Sequence, residues 1–549
     1  MQDDDNGGAN MIELPFHDTD IRANPYVAGR RVAIGANGMV ASAHPYATLA
    51  GLDMLRDGGN AIDAAITVAA VLAVVEPAMT GMGGDVFALY YDAATKRVNG
   101  LNGSGRAPAA LTFDFFQDKG AATVDASTWE AVTVPGAVDA WWTAHDKFGR
   151  KPFGELFEPA ITFAAEGYRV GERVAGDWAA CVDSLSTDAK AIYSRNGKAP
   201  GVGELMINAK LAESLRLVAT GGPDAYYRGP IAAAIVDYAA ATGGFLTADD
   251  FAEHRSTWVD PIYTDYRGFR CWQIPPNGQG LGVLMMLNIL DSAGVSSMSF
   301  NSPEYLHMLI EAKKLAYEDL YAYVADPAAN DLITDKLLSK QYAKDRAKLI
   351  DRGKAADIVD PGLPAGSDTT CFSVADGDGN AVSFINSIFA PFGSGIVGGE
   401  SGILLQNRGA GFSLQPGHVN CYAPGKRPFH TIIPGMVTRD DDLYLAYGLM
   451  GAAMQPQGHA QFLLSHLDHG LTLQEATDVP RWNHLSGLQV LMEHGTPLST
   501  MEALAVLGHT VVPVDWELMG GAQAIMLDQG TGCYVGASDP RKDGLALGY

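Results

Sequence analysis

Between Tyr46 and Pro77 apolar residues recur at helical spacing, interrupted once by Gly58 and Gly59. This predicts two packed helices that end before the proline. The second carries a largely apolar run from Ala64 to Val75, bracketed by Asp63 and Glu76. Such a run falls well short of the roughly 20 residues a bilayer requires and reads as a buried helix. Around Phe87 to Tyr91 the period changes to two, predicting strand, turn, strand and loop. From Ser302 to Pro327 the helical period returns, with Ser302 as cap, Pro303 in the first turn, and Met308, Leu309, Leu315 and Leu320 facing the core.

Residues 351–368 are charged and rich in Gly and Pro with little periodicity, which predicts an exposed, mobile linker. Two β runs follow, Thr370 to Asp376 and Asn380 to Phe389, joined by "DGDGN", whose Asp-Gly steps signal a hairpin. The last third alternates strands ("TVVPVDWEL", "AQAIMLD", "CYVGAS") with a helix after Pro456, and no internal repeat is visible.

At 549 residues the chain exceeds one ordinary core, so two domains or one large layered body are expected. With 47% hydrophobic and 18% charged residues it should be globular. A net charge of −25 without a Lys/Arg run argues against nucleic acid. The polar tail, residues 1–25, has neither a basic segment nor an apolar one, so no signal peptide or membrane association is expected. Five scattered cysteines without CxxC spacing fit reduced thiols, and with the tail they predict a cytoplasmic location.

Several apparent motifs carry no chemistry. "GSGIVG" at Gly393 matches a dinucleotide fingerprint, but no helix opens there. Asp376, Asp378 and Asn380 imitate the first calcium-loop positions, yet Ala381 and Ser387 stand where Gly and Glu are needed. His459, His466 and His469 share a predicted helix without HExxH or a cysteine pair, and GxSxG is absent. Neither cofactor nor metal is expected.

The segment "SDTTCF" remains. A threonine hydroxyl needs an adjacent base to act as a nucleophile, and cleavage of the chain before it would supply one. The freed α-amino group, with a reference pKa of roughly 7.7 to 8.0, can take the hydroxyl proton. A linker ending at Asp368, followed at once by Thr369 at a strand start, suits such self-processing, although Thr there is also ordinary β propensity.

Wider stretches bear on that choice: "GGNAIDAAI", "GMGGD", "VTVPGAVDAW", "PPNGQGLGVLMMLNIL", "DTTCFSVADGDGNAVSFINS", "FGSGIVGGESGILLQN", "KRPFHTIIPGM" and "GASDPRKDGLALGY". In these the chain resembles the γ-glutamyltransferase family of N-terminal-nucleophile hydrolases along nearly its whole length. The resemblance implies an α+β fold, a four-layer αββα sandwich, and a proenzyme cut between Asp368 and Thr369. Residues 26–368 and 369–549 would then be large and small subunits folded as one domain. Thr369 would be nucleophile and base, with Thr370 and Ser387 supplying nearby hydroxyls and Gly451 and Ala452 backbone N–H groups for the oxyanion. Partners implied are a small-molecule amide, an amine or peptide acceptor and the two subunits themselves, with a homodimer of that unit left open.

The family's γ-glutamyl pocket is altered. Its Arg maps to Ser104, with Arg106 as a substitute; its Asp to Gly411; its Ser pair to His430 and Thr431; its Asn to Phe389 and its Gln to Arg408. Loss of an acid and gain of an arginine predict an acyl group with a carboxylate but no neighbouring ammonium, clamped by Arg106 and Arg408. Relatives acting on oxamate or cephalosporin side chains show such drift within the family. Cys371 stands where many relatives have His. A catalytically dead binding relative is the contrasting expectation.

Overall fold

The computed structural model describes residues 30–330, 333–357 and 369–549. The polar tail and Asp368 lie outside them. Two antiparallel sheets of seven strands form the centre. One runs, edge to edge, Leu545–Gly548, Met39–Ser42, Thr370–Ala375, Ala381–Ser387, Asp85–Asp92, Arg97–Gly103 and Thr257–Val259. The other runs Ala33–Gly35, Tyr534–Ser538, Gly521–Leu527, Asp442–Met450, Pro434–Arg439, Phe269–Gln273 and Ile262–Tyr266. Residues from both sides of position 368 interleave in each sheet.

Side-chain alternation along a strand decides which layer each residue joins. Phe372, Val374, Val382 and Phe384 face helices Pro45–Arg56 and Ala61–Val75 in one core cluster. Cys371, Ala375, Ala381 and Ile385 point the other way, joining Met436, Leu445 and Ile525 of the second sheet. Helices Gly280–Ala293, Pro303–Tyr323 and Met454–Leu467 cover that sheet's outer face, giving four αββα layers. Odd-numbered positions of the 370 strand therefore look between the sheets, and Thr369 heads that row.

Local signals explain the elements. The double-glycine break is followed by Asn60, which caps Ala61–Val75 in a capping box with Asp63, and every residue of that helix is buried. Ser302 Oγ accepts the Tyr305 N–H at the start of the 303 helix, and Met308, Leu309, Leu315 and Leu320 are buried. The "DGDGN" turn is held by Asp376 Oδ1, which accepts the N–H groups of Asp378 and Asn380, each at 3.0 Å. No helix among the described residues is long and apolar enough to cross a membrane.

Three expectations change. The helix placed after Pro456 begins at Met454, because proline is tolerated within a first turn. Of "TVVPVDWEL", only Thr510–Val514 is strand, and Trp516–Leu518 forms a 3₁₀ turn. Residues 351–357 are mostly exposed, as predicted, but the segment is anchored to the body of the protein. Asp351 O is bonded by His307 Nε2 at 2.8 Å, the Ala356 N–H goes to Glu311 Oε2 at 3.1 Å, and Ala355 is buried. Residues 358–368 of the predicted linker lie outside the described residues.

Candidate active site

Thr369 is fully buried at the end of the sandwich, one residue before the strand that pairs Thr370 with Asn386. Its Oγ1 lies 3.1 Å from Ser387 Oγ. Ser387 ends the neighbouring strand and faces Asp85 across the next pairing. Its oxygen accepts the Phe389 N–H at 2.9 Å and Arg408 NH2 at 3.3 Å. Thr370 turns to the opposite face, where its hydroxyl donates to Asn386 O at 3.1 Å. Cys371 returns to the inter-sheet face with Sγ 3.4 Å from Gly521 O, and burial holds its thiol well above the usual range. A thiol kept protonated there fills space and is no nucleophile.

The pocket beside Ser387 is organised by Asp85, the last residue of "GMGGD", which the motif reading left without a role. Its Oδ1 accepts the Gly105 N–H and Gln406 Nε2, both at 2.9 Å. Its Oδ2 lies 2.9 Å from His430 Nε2 and 3.8 Å from Arg408 Nε. Burial pushes the Asp85 carboxyl up, but the His430 hydrogen bond and the charges opposite outweigh this and leave it below the ordinary value. His430 is driven down to about 4 by burial first and then by the Arg408 charge. The neutral ring has a defined tautomer, since Nδ1 accepts the Ile432 N–H at 3.4 Å and Nε2–H donates to Asp85.

Arg408 is fully buried, and burial lowers its guanidinium to about 10, leaving it a cation at neutral pH. NH1 donates to Thr431 Oγ1 at 2.8 Å, and the guanidinium carbon lies 4.4 Å from the Phe389 ring centre. Phe389 has φ +80, a strained setting for a side-chain-bearing residue that aims its ring beneath the cation. At Gly411 an added Cβ would stand 3.0 Å from Phe429 O, so any side chain there would require its neighbour to shift.

Thr369, Ser387, Phe389, Arg408, His430 and Thr431 thus form one connected cluster. Arg106 stands apart with its side chain 39% exposed, NH1 3.0 Å from Gly425 O and 3.5 Å from Asp326 Oδ2. Ser104 is buried and accepts Asn277 Nδ2 at 3.2 Å. Gly451 and Ala452 form a turn with φ +120 and +53. Asp85, Gln406, Asn277 and Gln279 are members to which the sequence assigned no role; all four lie in the quoted stretches, but nothing in their spacing marks them.

A cleft of about 900 Å³ lined by Trp142, Lys147, Tyr227, Arg228 and Arg255 contains none of the candidate residues. The buried cluster carries the better chemistry, because it joins a hydroxyl row to a charged pocket. Among the described residues His307, Glu311 and His509 bring possible metal ligands within 4.8 Å of one another. Lys314 Nζ already supplies the positive charge 2.8 Å from Glu311, and the two rings bond each other at 2.8 Å. That group anchors residues 351–356. His459 and His466 are buried, and His466 is held by Tyr444 and Leu471.

The family model described as Gamma-glutamyltranspeptidase matches residues 47–549. The chain is 41% identical to the "Glutathione hydrolase-like YwrD proenzyme" of Bacillus subtilis (strain 168), covering 94% of this chain and 99% of that protein. It is 34% identical to the "Glutathione hydrolase proenzyme" of Escherichia coli (strain K12), covering 93% and 92%. Among solved structures, the cephalosporin acylase from Bacillus halodurans superposes with a TM-score of 0.89 at 41% identity, covering 96% of this chain and 98% of that one. The sandwich, the buried threonine at its end and these matches along the chain agree: the protein is a member of the gamma-glutamyltranspeptidase family.

Proposed function

We propose that this protein is a proenzyme that cuts its backbone between Asp368 and Thr369, and that the new N-terminal Thr369 cleaves an amide through an acyl-enzyme. The observation that carries this reading is the 3.1 Å contact between Thr369 Oγ1 and Ser387 Oγ, at the head of a buried strand beside a pocket built on Arg408. The freed amine takes the hydroxyl proton, Oγ1 attacks the carbonyl carbon, and the N–H groups of Gly451 and Ala452 hold the oxyanion. The amine returns the proton to the leaving nitrogen, and water or an amine acceptor then resolves the ester.

For the acyl group, Arg408 favours a carboxylate, whereas Gly411 offers no acid for an ammonium. This supports an acyl donor other than a γ-glutamyl group, in the manner of a cephalosporin-type acylase or an oxamate-type amidohydrolase. The clamp rests on Arg408, with Arg106, held by Gly425 O and Asp326, as a screened second charge. A homodimer of the processed unit and a cytoplasmic location belong to the same proposal.

Intact mass and N-terminal sequencing test the reading. Wild type should give two fragments, the smaller beginning at Thr369, and Thr369→Ala should stay whole. A folded wild type that remains one chain, or a smaller fragment with another first residue, would overturn it and leave an inactive binding relative.

A further inference from the structure

The carbonyls of the 451–453 turn are tied down one after another. Gly451 O accepts the Met454 N–H at 2.8 Å, and Ala452 O accepts the Gln455 N–H at 3.0 Å. Ala453 O accepts the Tyr317 hydroxyl at 2.5 Å. In a planar trans peptide the C=O and the next N–H point in opposite directions. Fixing the Gly451 carbonyl toward the helix therefore aims the Ala452 N–H away from it. Ala452 must also be kept at φ +53, which a residue with a Cβ does not favour without restraint.

On the Ala452 carbonyl, the side-chain restraint from outside the turn is Gln279. Its Nε2 donates to Ala452 O at 2.8 Å and to Thr431 O at 2.5 Å. Two carbonyl acceptors require the NH2 end of the amide there, which fixes its orientation. Gln279 is fully buried at the start of helix Gly280–Ala293, and its own N–H donates to His430 O at 3.0 Å. Thr431 in turn holds Arg408 through its hydroxyl at 2.8 Å. One carboxamide therefore cross-links the proposed oxyanion turn to the acyl pocket, two parts of the site on different loops.

We propose that Gln279 is a positioning residue that sets the Gly451–Ala452 donors against the Thr431–Arg408 pocket, an inference that rests on the function proposed above. Gln279→Glu keeps the size and loses both donors, and Gln279→Met keeps the length as an apolar chain. The readout is hydrolysis of 4-nitrophenyl acetate above a Thr369→Ala blank, with active sites counted by the nitrophenol burst. Both variants should process, keep KM within about threefold and lose about tenfold to a hundredfold in kcat per counted site. A merely structural role would lower the melting temperature and the number of sites while leaving kcat per site unchanged. That result in both variants overturns the inference. If neither variant folds, Tyr317→Phe decides: removing the shorter of the two bonds on the next carbonyl, which Gln457 Nε2 also reaches at 3.4 Å, should lower kcat per site severalfold, and an unchanged value rejects carbonyl anchoring of the turn. Wild type without burst or Thr369-dependent turnover would instead sink the parent reading.

Discussion

The threonine row and the acyl pocket touch at Ser387 but are built by different means. Thr369, Thr370 and Ser387 are placed by strand register: pairing of Thr370 with Asn386 and of Ser387 with Asp85 decides which hydroxyl faces which layer. The pocket is placed by charge. One buried carboxylate, Asp85, gathers Gly105, Gln406, His430 and Arg408 from three segments of the chain. Register tolerates many side chains, so the nucleophile can persist while the pocket drifts. A pocket centred on one buried ion is changed, or lost, by a few substitutions.

The sharpest way to break this contrast is Asp85→Asn. Removing one partner of a buried ion pair strands the other, and the expected cost is about 3–5 kcal/mol, read as a fall in the urea midpoint. Thr370→Val, measured like Asp85→Asn in the uncleaved Thr369→Ala chain so that processing does not differ, should by contrast change stability by at most about 1 kcal/mol, since it removes one hydroxyl and leaves the register intact. Comparable losses from the two substitutions would show that charge does not organise the pocket.

A smaller effect separates the arginines. Arg408→Met should raise KM for acidic amides about tenfold or more relative to neutral ones, the scale of a charge-assisted hydrogen bond. Arg106→Met should shift the same ratio by severalfold at most, because its half-exposed charge is screened. An equal change for acidic and neutral amides in both variants would refute the clamp.

The mildest test is pH. His430, lowered to about 4, is neutral when folded but takes up protons below 6.5 when unfolded. The unfolded state then binds more protons, so stability falls as pH drops from 6.5 toward 4. His44 and His254, also lowered to about 4 by burial, add to the same slope. Glu76, raised to about 8 by burial, works in reverse: the folded state holds the extra proton, so stability falls as pH rises from 4.5 to 8. Thermal midpoints should therefore decline on the acid side, and Glu76→Gln should flatten the alkaline side. An unchanged alkaline slope in that variant would contradict the assignment.

What could be read from the chain alone follows the same division. The double-glycine break, the Ser302 cap and the "DGDGN" hairpin are local, and each lies where spacing predicted. Thr369 at a strand head is local too, although its 3.1 Å neighbour Ser387 depends on the hairpin closing in register. The centre of the pocket was not legible, because Asp85 meets His430 across 345 positions and no spacing encodes that meeting. Gln279 was hidden for the same reason, its two acceptors lying 152 and 173 positions away. Arg106 and Arg408 were paired on charge, whereas the fold gives them separate partners, Asp326 for one and Asp85 for the other.

The central claim is that the Thr369 hydroxyl is the nucleophile, and trapping its ester tests this most directly. Processed wild type is mixed with 4-nitrophenyl acetate, quenched in acid and mapped by peptide mass spectrometry. The account predicts one acetyl group on the peptide that begins at Thr369, attached through oxygen, labile to hydroxylamine and absent from Thr369→Ala. Equal labelling in that variant, or a stable adduct confined to another residue, would contradict it.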